Sequence, residues 1–397
     1  MTIHPGRILC ALAPIVLGAL PAAAGTTFTI LTPTGPTYNA MSIAGVSGDG
    51  KFVVGQMSNN SVFRATRWTA DDSVHLDMGL LSGRPYSQGT FLDSNGAIGA
   101  ADAIDASFNP QIFQWTAPST RVTLPFMATG TYTYSAGISN DGSVIAGWGG
   151  ITSATTPQRI DRWTSATGNT IVPLPAGISA AASSVPDQQY TRVLSGNGNF
   201  IIGNVPNASP TDVAYRYDAT TGISTDLGQM QAGKGPRLTS ISDDGSVIIG
   251  YSAYAFPDFV NGQAGFIWTQ AGGFVSLGLL GGEGDTYLPR FLSGNGKVIL
   301  GTDSGTNFIW TAQTGMVNFN SYLAANGVNT LGMTGLTFRG ISDDGSTIVG
   351  MGLTSTGANE GWILTISAVP DPGTGLTSGM LAAGIILRRR RAVRCRR

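Results

Sequence analysis

The ten residues ISDDGSVIIG at positions 241–250 return almost unchanged as ISDDGSTIVG at positions 341–350. In both stretches, a short polar segment containing Asp-Gly separates two apolar runs. Asp-Gly pairs suit tight hairpins, because glycine adopts positive φ angles without strain and the Asp side chain bonds to nearby backbone. The stretch therefore predicts two strands joined by a hairpin, and its return predicts an internal repeat.

Five further copies give seven in all, each with Asp-Gly or Asn-Gly at the turn. We call the glycine of that pair the marker glycine of its copy. The marker glycines are Gly50, Gly96, Gly142, Gly198, Gly245, Gly296 and Gly345, with a mean spacing of about 49 residues. A regular period of this length is typical of repeat architectures.

Each copy continues with a strand that carries one aromatic residue, and then with another short apolar segment. The aromatic residues are Trp68, Trp115, Trp163, Tyr217, Trp268, Trp310 and Trp362. A unit therefore holds four short strands, which predicts a β-propeller of seven four-stranded blades. A linear β-solenoid is the alternative, although its rungs are usually shorter and need caps. Copies two and four are the least regular, so their blade boundaries are the least defined.

The two ends of the repeat region complement each other. The seventh unit ends at GWILTI without a fourth strand, whereas an extra strand, TTFTILTP at residues 26–33, precedes the first unit. We expect this strand to be the outermost strand of blade seven, so that pairing of the N- and C-terminal strands closes the ring and removes exposed edges. The predicted fold is an all-β propeller over residues 25–368, with the strand that precedes each hairpin innermost, followed by a C-terminal hydrophobic sorting helix within residues 369–397.

Residues 1–24 have the layout of a secretory signal peptide: a cationic start at Arg7, an apolar stretch and an Ala-rich end, with cleavage expected after Ala24. An uncleaved membrane anchor is the alternative. Outside Arg7 and the seven arginines of the last ten residues, 14 basic groups face 23 acidic ones, a net charge near −9. Such a chain is a poor nucleic-acid binder. Cys10 and Cys395 both lie in the terminal segments, so the repeats contain neither disulfides nor thiols.

The repeats resemble the HAF family of extracellular repeats. The resemblance rests on pieces of the form GIS-x-DGS-x-IVG, F-x-W-T and LG-x-L-x-GG, and residues 266–301 are the fullest copy. It implies an extracellular protein and carries no defined activity.

The tail at residues 369–397 is similar to the PEP-CTERM sorting signal. It has a Pro-x-Pro motif (Pro370, Asp371, Pro372), a short apolar helix and an arginine cluster (Arg388, Arg389, Arg390, Arg391). The resemblance implies a Gram-negative bacterium, transient anchoring in the inner membrane, processing by an exosortase-type protease, and delivery to the cell surface or extracellular matrix. The family usually has Glu where this chain has Asp371. About 14 apolar or small residues are short for a durable span, and the arginines would stay cytoplasmic. A nucleic-acid-binding basic run is the alternative.

The inventory for catalysis is small. Once the leader is removed, His75 is the single histidine, and we expect it on the surface of an outer strand, so neither a Ser-His-Asp triad nor a His/Cys metal site can be built. Carboxylates beside a glycine can bind calcium, but three copies have Asn in place of Asp (Asn95, Asn197, Asn295), which favours a structural turn. Asp102 and Asp105 are candidates for glycosidic acid–base work, although nothing in the sequence supplies a raised pKa. We expect no metal and no cofactor.

One set of charged residues goes beyond the scaffold. Six residues before the marker glycine, copies four, six and seven have Arg192, Arg290 and Arg339, and Arg237 lies two residues further back in copy five. We expect these arginines at the start of the innermost strands, around one mouth of the central channel. Guanidinium groups bind carboxylate, sulfate or phosphate, which predicts a site for an acidic exopolysaccharide. The alternative is a structural one, in which each arginine pairs with an Asp of a neighbouring blade, such as Asp243 or Asp343.

Three function classes follow from these features. The first is an exported, non-enzymatic propeller that binds glycan or protein at the cell surface or in the matrix. The others are a glycan lyase or hydrolase with carboxylates at the axis, and a purely structural matrix component.

Overall fold

Short antiparallel strands, ordered along the chain from the axis outwards, form seven blades in the computed structural model. The structure describes residues 25–33, 38–59, 62–126, 132–150, 159–178, 192–205, 212–230, 235–253, 263–278, 280 and 287–366. The predicted signal peptide and sorting segment, including the arginine cluster and its helix, lie outside the described residues.

The strands follow the repeat copies. Blade one contains β2 (Ala40–Val46), β3 (Phe52–Ser58), β4 (Phe63–Thr69) and β5 (His75–Asp77). Blade two contains β6 (Tyr86–Leu92), β7 (Ile98–Ile104), β8 (Pro110–Thr116) and β9 (Thr120–Thr123). Blade three contains β10 (Tyr132–Ile138), β11 (Val144–Gly150), β12 (Arg159–Thr164) and β13 (Gly168–Ile171). Blade four contains β14 (Phe200–Val205), β15 (Val213–Asp218) and β16 (Ile223–Asp226).

The remaining blades follow the same order. Blade five contains β17 (Arg237–Ile241), β18 (Val247–Ala253), β19 (Gln263–Thr269) and β20 (Gly273–Ser276). Blade six contains β21 (Tyr287–Leu292), β22 (Val298–Asp303), β23 (Thr306–Thr311) and β24 (Gly315–Asn318), followed by helix α1 (Phe319–Ala325). Blade seven contains β25 (Thr334–Ile341), β26 (Thr347–Leu353), β27 (Asn359–Thr365) and, from the other end of the chain, β1 (Thr27–Leu31).

Copies two and four differ in regularity. Blade two has four complete strands, although its sequence departs from the repeat. In the described part of blade four, three strands form the sheet, and a single bridge between Leu194 and Ile201 stands where the inner strand of the other blades pairs. No helix within the described ranges is long and apolar enough to cross a membrane.

The ring is closed as predicted. Strand β1 pairs antiparallel with β27 in continuous register, from Thr27 opposite Thr365 to Leu31 opposite Gly361. Leu31 is fully buried, and the ring of Phe28 stacks on Trp362 with centroids 5.7 Å apart. The first strand of the propeller is therefore packed into the blade formed by the last strands.

The repeated hairpin is held by its own side chains. In blade five, Ser242 Oγ donates to Asp244 Oδ1 at 2.7 Å, and the amides of Ser246 and Val247 donate to Asp244 Oδ1 and Ser242 Oγ at 2.9 and 3.0 Å. Burial raises the pKa of Asp244, but these hydrogen bonds outweigh it and leave the pKa lowered. Oδ1 accepts these bonds, and the Oδ1 atom of an Asn side chain offers the same acceptor. The turn therefore accepts either residue, and its carboxylate is engaged in the scaffold.

The marker glycine also touches the preceding blade. Gly245 has φ +74°, and a Cβ there would collide with Phe200 of blade four. Gly96 meets Phe52 in the same way, and Gly50 meets Thr347 of blade seven. Glycine is therefore required twice, by the turn and by the contact between blades, and only the turn could be read from the sequence.

The hairpins join into a ring of backbone hydrogen bonds around one end of the channel. Each hairpin bonds to the next through an amide and a carbonyl, with N–O distances of 2.7–3.0 Å, and blade seven bonds back to blade one. The donor amides belong to Asp49, Ser94, Asn140, Asn197, Asp243, Asn295 and Asp343. We call this end the hairpin end and the opposite end the loop end.

Candidate binding site in the central channel

Bulges in the inner strands occur at the position six residues before the marker glycine. In blades one, two, three, five, six and seven the strand register shifts there, and the bulged residues are Ala44, Thr90, Ala136, Thr239, Arg290 and Arg339. A bulge leaves one residue unpaired and re-aims its side chain. The expectation that Arg290 and Arg339 lie at the start of the innermost strand is therefore wrong: both lie within β21 and β25, close to the hairpins.

A cavity of about 70 Å³ lies on the axis of the propeller. All seven blades contribute to its lining, which places it inside the ring of inner strands. Its polar lining residues include Thr90, Asn140, Arg192, Arg339 and Asp343. This cavity is the candidate binding site.

Arg192 spans the hairpin end of the channel. Its Nη2 lies 2.6 Å from Asp243 Oδ1 and donates to Asn140 Oδ1 at 2.8 Å, and its Nη1 lies 3.5 Å from Asp343 Oδ1. Its Nε donates to the carbonyl of Leu194 at 3.1 Å. These contacts link blade four to blades three, five and seven, and they include both ion pairs named by the structural alternative.

Asp343 is the most constrained acid of this network. Burial raises the pKa of Asp343, Arg192 lowers it and Asp243 raises it again. Its Oδ2 also accepts a hydrogen bond of 3.0 Å from Ser94 Oγ of blade two. Arg192 therefore neutralises two carboxylates that would otherwise repel each other across the axis.

Arg290 of blade six and Arg339 of blade seven lie close enough to influence each other electrostatically. Burial lowers the pKa of Arg290 and the charge of Arg339 lowers it further, while Tyr251 acts in the opposite direction. Arg339 lines the cavity, and its Nη1 donates to the carbonyl of Phe338 at 3.2 Å. One of two mutually repelling arginines thus lines the cavity, where a bound anion would offset their repulsion.

Arg237 does not share this arrangement. Its Nε lies 3.0 Å from Asp212 Oδ2, its side chain is 40% exposed, and it is not among the residues that line the cavity. The structure thus brings Arg192 and Arg339 to the cavity, sets Arg290 near Arg339, and leaves Arg237 in a separate ion pair.

The position two residues before the marker glycine also shapes the site. It is occupied by Gly48, Ser94, Asn140, Gly196, Asp243, Gly294 and Asp343. The sequence interpretation named two of these residues as ion-pair partners but did not recognise the position as a set. The available signal is that this position changes chemical class from copy to copy within an otherwise regular motif.

The titratable candidates of the sequence have other settings. His75 is half-buried rather than on the surface, because its Nε2 lies 2.8 Å from Asp72 Oδ1 and its ring meets Trp68 edge-on. Asp105 lies in a turn where the amides of Ser107 and Asn109 donate to it. Asp102 is only 4% exposed and accepts a hydrogen bond from the amide of Ser135.

The expectation that nothing raises the pKa of the candidate acids is wrong for Asp102, because this residue is buried. Burial raises the pKa of Asp102 to about 7, against the hydrogen bonds from Ser135. It raises the pKa of Asp161 to about 7 as well, against hydrogen bonds from backbone amides. Both acids lie in the protein interior, so they act on stability rather than on a bound substrate.

These two acids predict a pH-dependent stability. The pKa of an unfolded Asp is about 3.9, so between pH 4 and 7 the folded protein keeps protons that the unfolded chain has lost. The free energy of unfolding therefore falls as pH rises through this window, by up to about 1.4 kcal/mol per pH unit for each acid. Urea unfolding at pH 5 and pH 8 measures this fall, and Asp161→Asn should make it smaller. An equal fall in the variant would contradict the prediction.

No family model matches the chain, and no curated protein does. The resemblances to HAF repeats and to the PEP-CTERM signal therefore stay predictions.

Solved structures are similar in fold. An oligogalacturonate lyase from Vibrio parahaemolyticus superposes with a TM-score of 0.55 at 8% identity, over 86% of this chain and 97% of that chain. The β-propeller domain of the Trilobed protease from Pyrococcus furiosus, which has an open velcro topology, gives 0.54 at 11% identity, over 86% and 99%. TolB from Acinetobacter baumannii gives 0.44 at 15% identity, over 68% of this chain and 63% of that chain, a likeness too weak to carry an argument. Together they show a β-propeller fold and nothing finer.

Proposed function

We propose that the protein is an exported, non-enzymatic β-propeller of the cell surface or extracellular matrix that binds an acidic polysaccharide. The observation that carries this proposal is Arg339 in the lining of the axial cavity, with Arg290 near it. A cavity of about 70 Å³ has room for a carboxylate or sulfate group, since about 10–15 Å³ of such space is enough for one water. The acidic substituent would enter the cavity while the sugar chain stays outside.

Charge and burial support binding rather than catalysis. Arg339 lines the cavity, and Arg290 lies near enough for the charge of Arg339 to lower its pKa, so these two arginines would meet the anion. Asp102 and Asp161, whose pKa is raised to about 7, are buried, so neither gives a lyase or hydrolase an accessible carboxylate. Asp343, whose pKa is also raised and which lines the cavity, is engaged by Arg192 and Ser94.

The export route is part of the same proposal. The leader at residues 1–24 would direct secretion, the tail would anchor the chain transiently in the inner membrane, and an exosortase-type protease would process it. Mass spectrometry of the protein recovered from its native host tests this route. Chains ending near Pro370–Pro372 would support processing, and an intact arginine-rich terminus on the cell surface would contradict it.

A salt series tests the anion site. The purified protein should bind hexagalacturonate more tightly than the neutral galactohexaose. The affinity should fall as salt rises, because salt screens the long-range attraction between the anionic oligosaccharide and the arginines. The double variant Arg290→Gln/Arg339→Gln should lose at least about tenfold in affinity, since hydrogen bonds between charged groups contribute about 1.5–3 kcal/mol each.

Lys51→Gln/Lys297→Gln is the matched control. It also removes two positive charges, from exposed side chains that follow the marker glycines of two hairpins, and it should bind hexagalacturonate as the parent does. Unchanged binding by a folded double variant, or binding that ignores salt, would overturn the proposal.

A further inference from the structure

Three aromatic rings form one continuous stack at the loop end, between blades one and two. Phe63 stacks on Tyr86 with centroids 4.8 Å apart and planes 11° apart, and Tyr86 stacks on Phe108 at 5.8 Å and 9°. Phe63 begins β4, Tyr86 begins β6, and Phe108 lies in the turn between β7 and β8. The stack ends at Phe108, which is 66% exposed.

The exposed ring is held in place by its turn. Phe108 has φ +64°, a conformation that a bulky residue adopts only when its surroundings impose it. Asp105 imposes it: its carbonyl accepts from the amide of Phe108 at 3.0 Å, and its Oδ1 accepts from the amides of Ser107 and Asn109 at 2.9 Å. Arg84 fixes the same turn by donating to the carbonyl of Asn109. An apolar ring is thus kept in water on a constrained backbone.

The arrangement suits a flat ligand. A cage for an organic cation surrounds the charge with aromatic faces, and tryptophan is its best component. Here the rings are nearly parallel and end in phenylalanine, so they offer one plane. Asp105 already faces Arg84, with Nη1 and Oδ2 3.9 Å apart, so its charge is partly compensated. Beside the ring, the side-chain amide of Asn109 donates to both carboxylate oxygens of Asp105 at 3.4–3.5 Å. The turn therefore offers acceptor oxygens in the Asp105 carboxylate and the Asn109 amide.

We propose that the Phe63–Tyr86–Phe108 stack binds a neutral pyranose ring of an oligosaccharide on the open face of Phe108. The C–H bonds on one face of a pyranose carry partial positive charge and match the negative face of an aromatic ring. The hydroxyl groups at the edge of the sugar would bond to Asp105 and Asn109. The base of a nucleotide is equally flat, but the phosphates of the nucleotide would be repelled by a chain of net negative charge.

This site is separate from the axial cavity. It lies at the opposite end of the propeller from the hairpins and uses no arginine as a ligand. It therefore neither rests on the proposed acidic-glycan binding nor fails with it.

Saturation-transfer NMR tests the site, with cellohexaose, maltohexaose, mannohexaose and galactohexaose as probes. Irradiation of the aromatic protons should give the strongest transfer to the C–H protons of one sugar face in at least one probe. Phe108→Ala should lower the affinity for that probe at least about tenfold, because it removes the aromatic face on which the sugar ring stacks. Phe108→Tyr should retain it.

Leu331→Ala is the matched control. Leu331 is 54% exposed, has φ +55° and lies at the same loop end, so the variant makes a comparable change at a non-aromatic residue. It should bind the probe as the parent does, and Arg290→Gln/Arg339→Gln should too. The proposal is overturned if none of the four probes binds, if Phe108→Ala binds as the parent does, or if tetramethylammonium binds in place of the sugars.

Discussion

Removal of residues 25–33 is expected to open the ring and abolish cooperative folding at ambient temperature. Without β1, Leu31 and Phe28 no longer cover the outer face of blade seven, and the edge of β27 is left unpaired. Burial of one large apolar side chain contributes about 1.5–3 kcal/mol, and each lost strand hydrogen bond about 1 kcal/mol. The total is at least about 5 kcal/mol, comparable with the whole stability of many proteins. Urea unfolding followed by tryptophan fluorescence measures the loss.

A disulfide between β1 and β27 is expected to raise the free energy of unfolding. Thr27 and Thr365 are direct partners in the ladder, and directly opposed strand residues lie within the Cα distance that a disulfide needs. Thr27→Cys/Thr365→Cys should gain about 2–4 kcal/mol when oxidised and return to the parent's stability when reduced. If the truncated chain keeps the parent's unfolding midpoint, closure by β1 does not stabilise the propeller.

Arg192→Ala is expected to lower the free energy of unfolding by about 3 kcal/mol at pH 7. The substitution leaves Asp243 and Asp343 near each other without their cation, and breaking a largely buried ion pair commonly costs 3–5 kcal/mol. The side chains of these three residues are 20–26% exposed, so the lower end of that range applies. Urea titrations of both proteins measure the difference.

Two further variants separate charge from packing. In Arg192→Ala/Asp243→Asn/Asp343→Asn the uncompensated charges are gone, so most of the lost stability should return. Arg237→Ala removes an arginine from an exposed pair and should cost less than about 1 kcal/mol.

The pH dependence of stability provides an independent check on the charge role of Arg192. Burial and Asp243 already raise the pKa of Asp343, and loss of Arg192 removes the influence that lowers it. Protonation of Asp343 should therefore narrow the gap between Arg192→Ala and the parent as the pH falls from 7 to 5. A gap that stays constant over this range would show that lost packing, rather than charge, explains the defect.

The blades and their closure could be predicted because the information is local. Asp-Gly between two apolar runs predicts a hairpin. Each repeat has four strands and the seventh has only three, so the extra strand at residues 26–33 supplies the missing fourth strand. The bulges could not be predicted in this way, because register depends on how neighbouring strands pair in space. Arg290 and Arg339 were therefore expected at the start of their strands, whereas they lie three and five residues after it, at the bulges.

The contacts between blades escaped the sequence for a similar reason. Nothing adjacent to Gly245 in the chain reveals Phe200, and nothing near Asp102 reveals that the next blade buries it and raises its pKa. The stack combines Phe63, Tyr86 and Phe108 from two blades and a turn, so it does not recur with the repeat and the repeat could not predict it. Repetition predicts what the copies share, whereas the candidate sites use the positions at which the copies differ.

The ring of backbone hydrogen bonds around the hairpin end has an evolutionary consequence. Because these bonds use amides and carbonyls, the side chain two residues before each marker glycine is not needed to join the blades. Exchange among serine, asparagine and aspartate there can change the charge at the axis of one blade while the joints between blades persist. The glycines are more restricted, because a Cβ at Gly48, Gly196 or Gly294 would collide with neighbouring side chains of the ring. A protein of this design can therefore change its ligand preference by exchanges among its polar positions, and each added carboxylate requires a cation beside it, as Asp343 requires Arg192.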